Sequence, residues 1–248
     1  MFHLVAYSTS FNAATETEIS AIADGIMAVQ NNHIIPQSDR YLIWAMGVGL
    51  NMQRLRLVSP TLRQVTTPFI RPIEELATPG NLFHFMRMSR VPLLLKGLEE
   101  ISLFATQDSG GAERENGLLA LSRGIVQPAD NQQVFCMRGT SVTASVANAW
   151  TQIAVTWQDT LPVGKYECVG LECIGATELA ARLIFEDQVD RPGCPGTSDE
   201  DTASWPAFQD GTFGVWGRFD SNRMPNVEVL NTAAVSAHTV FLYFRRAA

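Results

Sequence analysis

Lysine is nearly absent. Of 18 basic residues in 248, only Lys96 and Lys165 are lysines. No run of cations exists, and the formal net charge is −7. Gripping nucleic acid through its phosphates needs clustered cations, so no direct, sequence-specific nucleic-acid binding is expected. A bias to Arg suits fixed, bidentate contacts at buried or inter-subunit ion pairs. The base composition of the source genome explains it equally well.

Histidine is scarce too. His3, His33, His84 and His238 are scattered, with no His-x-His or His-x-x-x-His pair. A metal site built from two ligands on one strand or helix face is therefore not visible. The cysteines are Cys136, Cys168, Cys173 and Cys194, with no Cys-x-x-Cys. Cys168 and Cys173 are five apart, so on one regular strand they would face opposite sides. All four read as small buried hydrophobes in a reducing compartment. There is no Gly-x-Ser-x-Gly elbow, no Gly-x-x-x-x-Gly-Lys loop and no Gly-x-Gly-x-x-Gly. Gly47-Val48-Gly49 is a fragment that close backbone contact in a strand explains. No catalytic, cofactor-binding or metal-ligating residue is assigned, and the expectation is a protein that is not an enzyme. The longest apolar run, Tyr41–Leu50, is about half of what a spanning helix needs. The opening MFHLVAYSTSF lacks the basic and long apolar regions of a signal peptide. A soluble protein made in the cytoplasm and not exported is expected.

What is present is enough apolar residue to build a core: 46% hydrophobic against 17% charged, in a length that fits one large β domain or two small ones. So little charge also fits an outside partly covered by other subunits. The most informative stretch is residues 161–188, LPVGKYECVGLECIGATELAARLIFEDQ. Pro162 and Gly164 mark a turn, and two apolar runs follow, broken by Gly175. This reads as paired strands rather than a helix. The first half holds a weaker copy. Tyr41 follows Pro36 as Tyr166 follows Pro162. Gly-containing apolar runs come next, and then Arg56-Leu57 and Arg182-Leu183. Arg90-Val91-Pro92 and Arg223-Met224-Pro225 are expected in equivalent turns before equivalent strands, with Phe83 and Phe213 upstream. The spacing, roughly 125–133 residues, makes this a domain-scale duplication rather than a solenoid.

Turn residues punctuate candidate strands throughout, among them 2–8, 41–49, 53–58, 64–70, 101–106, 133–137, 141–146, 151–157, 213–219 and 238–245. Thr15 and Glu18 can form a capping box ahead of Ile19, Ile22, Ile26 and Met27, which predicts a helix over 15–29. A helical turn is expected within 72–85. The polar, Gly-rich QDSGGAERENG at 107–117 is the strongest linker signal. It divides the chain into domains 1–110 and 111–248. The expected fold class is all-β with one or two short helices, as two tandem jelly-roll β-sandwiches.

Residues 187–209 read as a long loop, and Pro192–Pro206 is expected at an inter-subunit surface. Glu186, Asp187 and Asp190, with Asp199, Glu200 and Asp201, make the region acidic. A solvated loop and a calcium site between subunits are the two readings. Trp205 sits inside the loop, where an exposed indole would anchor a neighbour or a ligand.

The 161–188 run followed by Arg191-Pro192-Gly193 resembles the second-domain hairpin and loop of double jelly-roll major capsid proteins. These build tailless icosahedral viruses of bacteria, several with an internal membrane. The resemblance implies a structural virion protein that self-assembles into a shell as pseudo-hexameric homotrimers. The implied partners are neighbouring capsomers, vertex or membrane proteins and, as in those members of the family that have one, an underlying lipid membrane. Two alternatives stand beside it: a spike, decoration or carbohydrate-binding β-sandwich module, and, weakest, an enzyme on such a scaffold.

Overall fold

The computed structural model describes residues 1–12, 15–49, 52–65, 69–70, 72–73, 86–107, 111–130, 133–197 and 206–247. The chain forms two compact units. One comprises Val5–Ile125; the other comprises Val126–Ala248 together with Met1–Leu4.

In the first unit, alternating apolar runs give strands because one face can be buried while the other meets water. The main ones are β1 (Phe2–Phe11), β2 (Asn32–Ile34), β3 (Arg40–Gly49), β4 (Met52–Val58), β5 (Phe69–Ile70), β6 (Leu93–Leu95), β7 (Glu100–Gln107) and β8 (Glu113–Ser122). They pair as β1-β8-β3-β6 in one sheet and β2-β7-β4-β5 in the other, with the short strands Thr17–Ile19 on β7, Val29–Gln30 on β2, and Pro72–Ile73 and Met86–Arg87 on β3. Between the sheets lie Val5, Tyr7, Leu42, Leu55, Leu57, Leu103, Leu119 and Leu121, all fully buried. The Tyr7 hydroxyl donates to the Ile101 carbonyl at 2.7 Å, tying a strand of one sheet to a strand of the other. Burial pushes that phenol's pKa well up, so it stays a donor.

The second unit repeats the plan. Its main strands are β9 (Phe135–Ser141), β10 (Thr151–Ile153), β11 (Lys165–Ile174), β12 (Glu178–Ile184), β13 (Gly193–Pro195), β14 (Gly217–Asp220), β15 (Asn226–Asn231) and β16 (His238–Arg246), with the short strand Thr156–Trp157 beside β9. They pair as β9-β16-β11-β14 and β10-β15-β12-β13. Adding eight to each label of the first unit reproduces the second. Eight strands ordered 1-8-3-6 and 2-7-4-5 in facing sheets make a jelly roll, and this chain makes it twice.

The duplication read from 36–58 and 161–188 is real at the level of strands. Tyr41 and Tyr166 are the second residues of β3 and β11. Arg56-Leu57 lies opposite Phe104-Leu103, and Arg182-Leu183 lies opposite Glu228-Val227, at matching places in both rolls. Each central strand also bulges against the eighth: the ladder skips Ile43 in β3 and Val169 in β11. The second bulge corrects the reading of Cys168 and Cys173. One extra residue between them reverses the alternation, so both point inward and both are fully buried. All four cysteines are free, and Cys136 is exposed rather than buried.

Other expectations fail for local reasons. Residues 15–29 are not a helix. Thr17–Ile19 is a short strand paired with β7, Gly25 sits at φ 75°, where a right-handed helix cannot run, and the Asp24 carboxylate accepts the Ile26 and Met27 N–H groups. The apolar residues still supply core: Ile19, Ile22 and Met27 are buried. The helix falls instead at Pro60–Val65, overlapping only the first two residues of the stretch read as a strand over 64–70, with Pro at a helix start where its missing N–H costs nothing; Phe69–Ile70, at the end of that stretch, is a strand. Residues 142–146 do not continue a strand. Arg90-Val91-Pro92 precedes the sixth strand of its roll, whereas Arg223-Met224-Pro225 precedes the seventh. They are not equivalent; Pro ahead of a strand is turn chemistry that any strand entry can use. Phe83 and most of 72–85 lie outside the described residues.

The linker signal at 107–117 spans the end of β7 and the start of β8, and the units part at 125/126 rather than 110/111. The polar residues that suggested a linker are accommodated in the strand. Gln107 Nε2 donates to Glu115 Oε1 at 2.8 Å, and Arg114 reaches the Ser8 hydroxyl at 3.0 Å. Nor is 187–209 one loop, because β13 lies within it and pairs with β12 through Ala180–Arg182.

Gly170, at the bulge of β11, has no room for a side chain. A Cβ there would collide with the Phe208 carbonyl and lie 2.8 Å from its carbon. We expect Gly170→Ala to cost about 1–3 kcal/mol through backbone displacement. Gly124→Ala, with nothing within 4 Å of the added carbon, should melt like the parent. Thermal unfolding of the two variants checks both.

Candidate functional site

The second roll holds its most unusual chemistry on β12. Arg182 sits mid-strand with its side chain fully buried. A buried guanidinium is tolerated only when it is paired and hydrogen-bonded. Arg182 Nε donates to Glu228 Oε2 at 2.7 Å, across the β12–β15 ladder. Its Nη1 donates to the Leu4 carbonyl at 3.3 Å, and its Cζ lies over the Trp150 ring, 3.9 Å from the ring centre. Arg191 completes the carboxylate's shell at 2.8 and 2.9 Å. The turn that carries Arg191 also receives the head of β1. Leu4 N–H donates to the Arg191 carbonyl at 3.0 Å, and Arg191 N–H donates to His3 Nδ1 at 2.9 Å. Phe2 then enters an aromatic cluster, edge-on to Trp216 at 5.2 Å and to Phe213 at 6.2 Å.

The sequence singled out Arg182 and Arg191-Pro192-Gly193 but not their partners. Glu228 was legible only as an acidic residue inside the apolar run VEVL. Nothing local marks residues 2–4 as belonging to a roll that begins again at 126. At the matching position in the first roll, Arg56 is partly exposed. It pairs with Glu16 and lies over Phe104 at 4.9 Å.

A charged cleft of 1060 Å³ opens elsewhere on the second roll, lined by Asp130, Glu167, Glu186, Asp187, Arg218 and Arg245 among others. Its base is a row across three adjacent strands. Glu167 accepts from Arg218 at 3.0 Å and from Arg245 at 2.9 Å, and Arg245 also meets Asp130. Of the acidic residues singled out, Glu186 pairs with Arg223 at 2.6 Å, both exposed, which is worth little. Asp190 is buried. Asp199, Glu200, Asp201 and Trp205 lie outside the described residues. The segment expected at an inter-subunit surface begins inside the roll: Pro192–Pro195 and Thr197 are buried.

Another buried carboxyl is Glu178, at the start of β12. Its Oε2 accepts from Asn231 at 3.0 Å and faces His238 Nδ1 at 3.0 Å. Burial pushes this carboxyl's pKa up, and the His238 contact only partly offsets it. Cys173 lies beside it, and burial lifts that thiol too; Cys168 is pushed up to about 12. Such thiols are inert toward chemistry that needs a thiolate. Among the described residues no group of His, Cys, Asp or Glu is placed to hold a metal ion. His3, His33 and His238 are packed in the two rolls; His84 lies outside the described residues. No helix of the described residues is long and apolar enough to cross a membrane.

No protein-family model matches this chain. No curated protein matches it either. One solved structure is similar. It is the major capsid protein P2 from bacteriophage PM2, at 12% identity over 100% of this chain and 98% of that one, with a TM-score of 0.26. A likeness at that score carries no argument, and the jelly-roll assignment rests on the strand order alone.

The matched arginines give a paired test. Arg182→Ala leaves Glu228 in the interior with Arg191 as its remaining cation, and should cost about 3–5 kcal/mol. Arg56→Ala should cost less than about 1 kcal/mol. Urea unfolding of both variants measures the contrast. Glu178 sets a pH dependence. A raised carboxyl pKa means that folding favours the protonated acid. That contribution is complete below the ordinary value of 4.5 and is lost as pH rises through the raised folded-state value. Glu178→Gln should therefore lose less stability than the parent as pH rises above 4.5, read from denaturation midpoints at acidic and neutral pH.

Proposed function

We propose that this is a structural virion protein, a major capsid protein whose work is assembly. The observation that carries the reading is the strand order 1-8-3-6 and 2-7-4-5 occurring twice in one chain. A trimer of such chains presents six similar units, which suits hexagonal packing in a closed shell. Two further features agree with it. The ionisable groups that sequence and packing single out are used in structural pairs, as with Arg182 and Glu228, rather than gathered around a reacting centre. The chain also lacks the basic run that would bind a genome directly.

Its partners in this reading are further copies of itself, within the trimer and in neighbouring capsomers, and other virion components such as vertex or membrane proteins. The reading is compatible with shells that enclose a lipid membrane and with shells that do not. The protein is made in the host cytoplasm and ends in the virion.

Light scattering and negative-stain microscopy of the purified protein test this. Trimers with a hexagonal outline, or shells, are expected. A monomer that persists at high concentration overturns the proposal.

A further inference from the structure

Beside the charged cleft of the second roll lies a groove of 580 Å³ with a different chemistry. The two share a wall, Met224-Pro225-Asn226. The cleft is lined by carboxylates and guanidiniums, whereas no ionisable side chain lines the groove. What lines it is one indole, Trp157, with the neutral polar side chains of Thr143, Gln152, Ser221, Asn222 and Asn226 over an apolar floor that includes Ile153 and Val227.

The indole is held in place. Trp157 pairs across strands with Gly139. A Cβ at Gly139 would lie 2.7 Å from the ring's Cε3 and 3.0 Å from its Cζ3. The ring therefore packs directly over the glycine backbone, a seat that any side chain at 139 would lift it from. Its accessibility is intermediate, so the packing leaves part of it open. The polar groups around it are available. The side-chain amides of Gln152, Asn222 and Asn226 make no hydrogen bond within the described residues, and all three residues are exposed. Thr143 is already in use, its hydroxyl accepting the Ala154 N–H at 3.1 Å.

From this we infer a binding site for a neutral saccharide. A fixed aromatic face takes the apolar C–H face of a sugar ring, and amides that both donate and accept match its hydroxyls. A charged ligand would find no counter-ion in the groove. A purely apolar one would leave the amide groups desolvated and unpaired. The volume falls in the ordinary range for ligand sites, roughly 300–1,000 Å³, and accommodates a short oligosaccharide. This site does not depend on whether the chain assembles.

Saturation-transfer NMR on the full-length purified protein tests it, with gluco-, galacto- and N-acetylglucosamine-based hexasaccharides as neutral probes and polygalacturonate as the anionic control. The expected result is saturable binding of at least one neutral family. That binding should be retained by Trp157→Phe and by Asp187→Ala in the neighbouring cleft. It should be weakened about tenfold or more, roughly 1.4 kcal/mol, by Trp157→Ala. Should Trp157→Ala fail to fold, the exposed pair Gln152→Ala with Asn222→Ala carries the same expectation. The inference is overturned if no neutral family binds, if polygalacturonate binds as well as they do, or if binding survives loss of the indole or of both amides.

Discussion

The second roll depends on how one charge is kept out of water. A guanidinium in a strand interior is a large liability, and Arg182 is tolerable only because a carboxylate, a carbonyl and an indole face converge on it. Those groups come from β15, from the head of the chain and from the segment before β10. A single ion pair thus fixes how three distant stretches meet. Arg56, its counterpart in the first roll, sits in the same register but keeps contact with solvent and asks nothing comparable of its surroundings. The two rolls share topology and differ in what holds them together.

Much of the fold was legible in the sequence for a physical reason. Alternation of apolar and polar residues reflects a half-buried sheet, and Tyr41, Tyr166 and the two Arg-Leu pairs occupy structurally equivalent places, so the repeat could be seen. What could not be seen was set by distant contacts. Residues 15–29 have helical spacing of apolar side chains, yet Gly25 and the pairing of Thr17–Ile19 with β7 decide otherwise. Glu113–Asn116 reads as linker because its polar side chains meet Gln107, Ser8 and Val48 only once the chain is folded. A bulge at Val169 adds one residue and turns Cys173 inward; nothing in the local composition marks it.

The sites were less legible than the fold. Sequence reasoning drew attention to charge at 186–201, whereas the groove beside Trp157 consists of neutral residues drawn from β10, the β14–β15 turn and the short strand Thr156–Trp157. Neutral amides and a lone indole have no spacing rule of their own. Only the fold gathers them.

The placement of residues 2–4 has a consequence for how the protein is made. In synthesis from N- to C-terminus, Phe2, His3 and Leu4 emerge long before their partners. The Leu4–Arg182 and His3–Arg191 contacts span 178 and 188 positions. The first roll can close as soon as β8 is available, since every strand it needs has then been made. The second cannot finish until the head of the chain, already emerged, is brought back to it. Closing so long a loop is a slow step that leaves apolar surface open meanwhile. The earliest residues of this chain to appear are thus among the last to find their place.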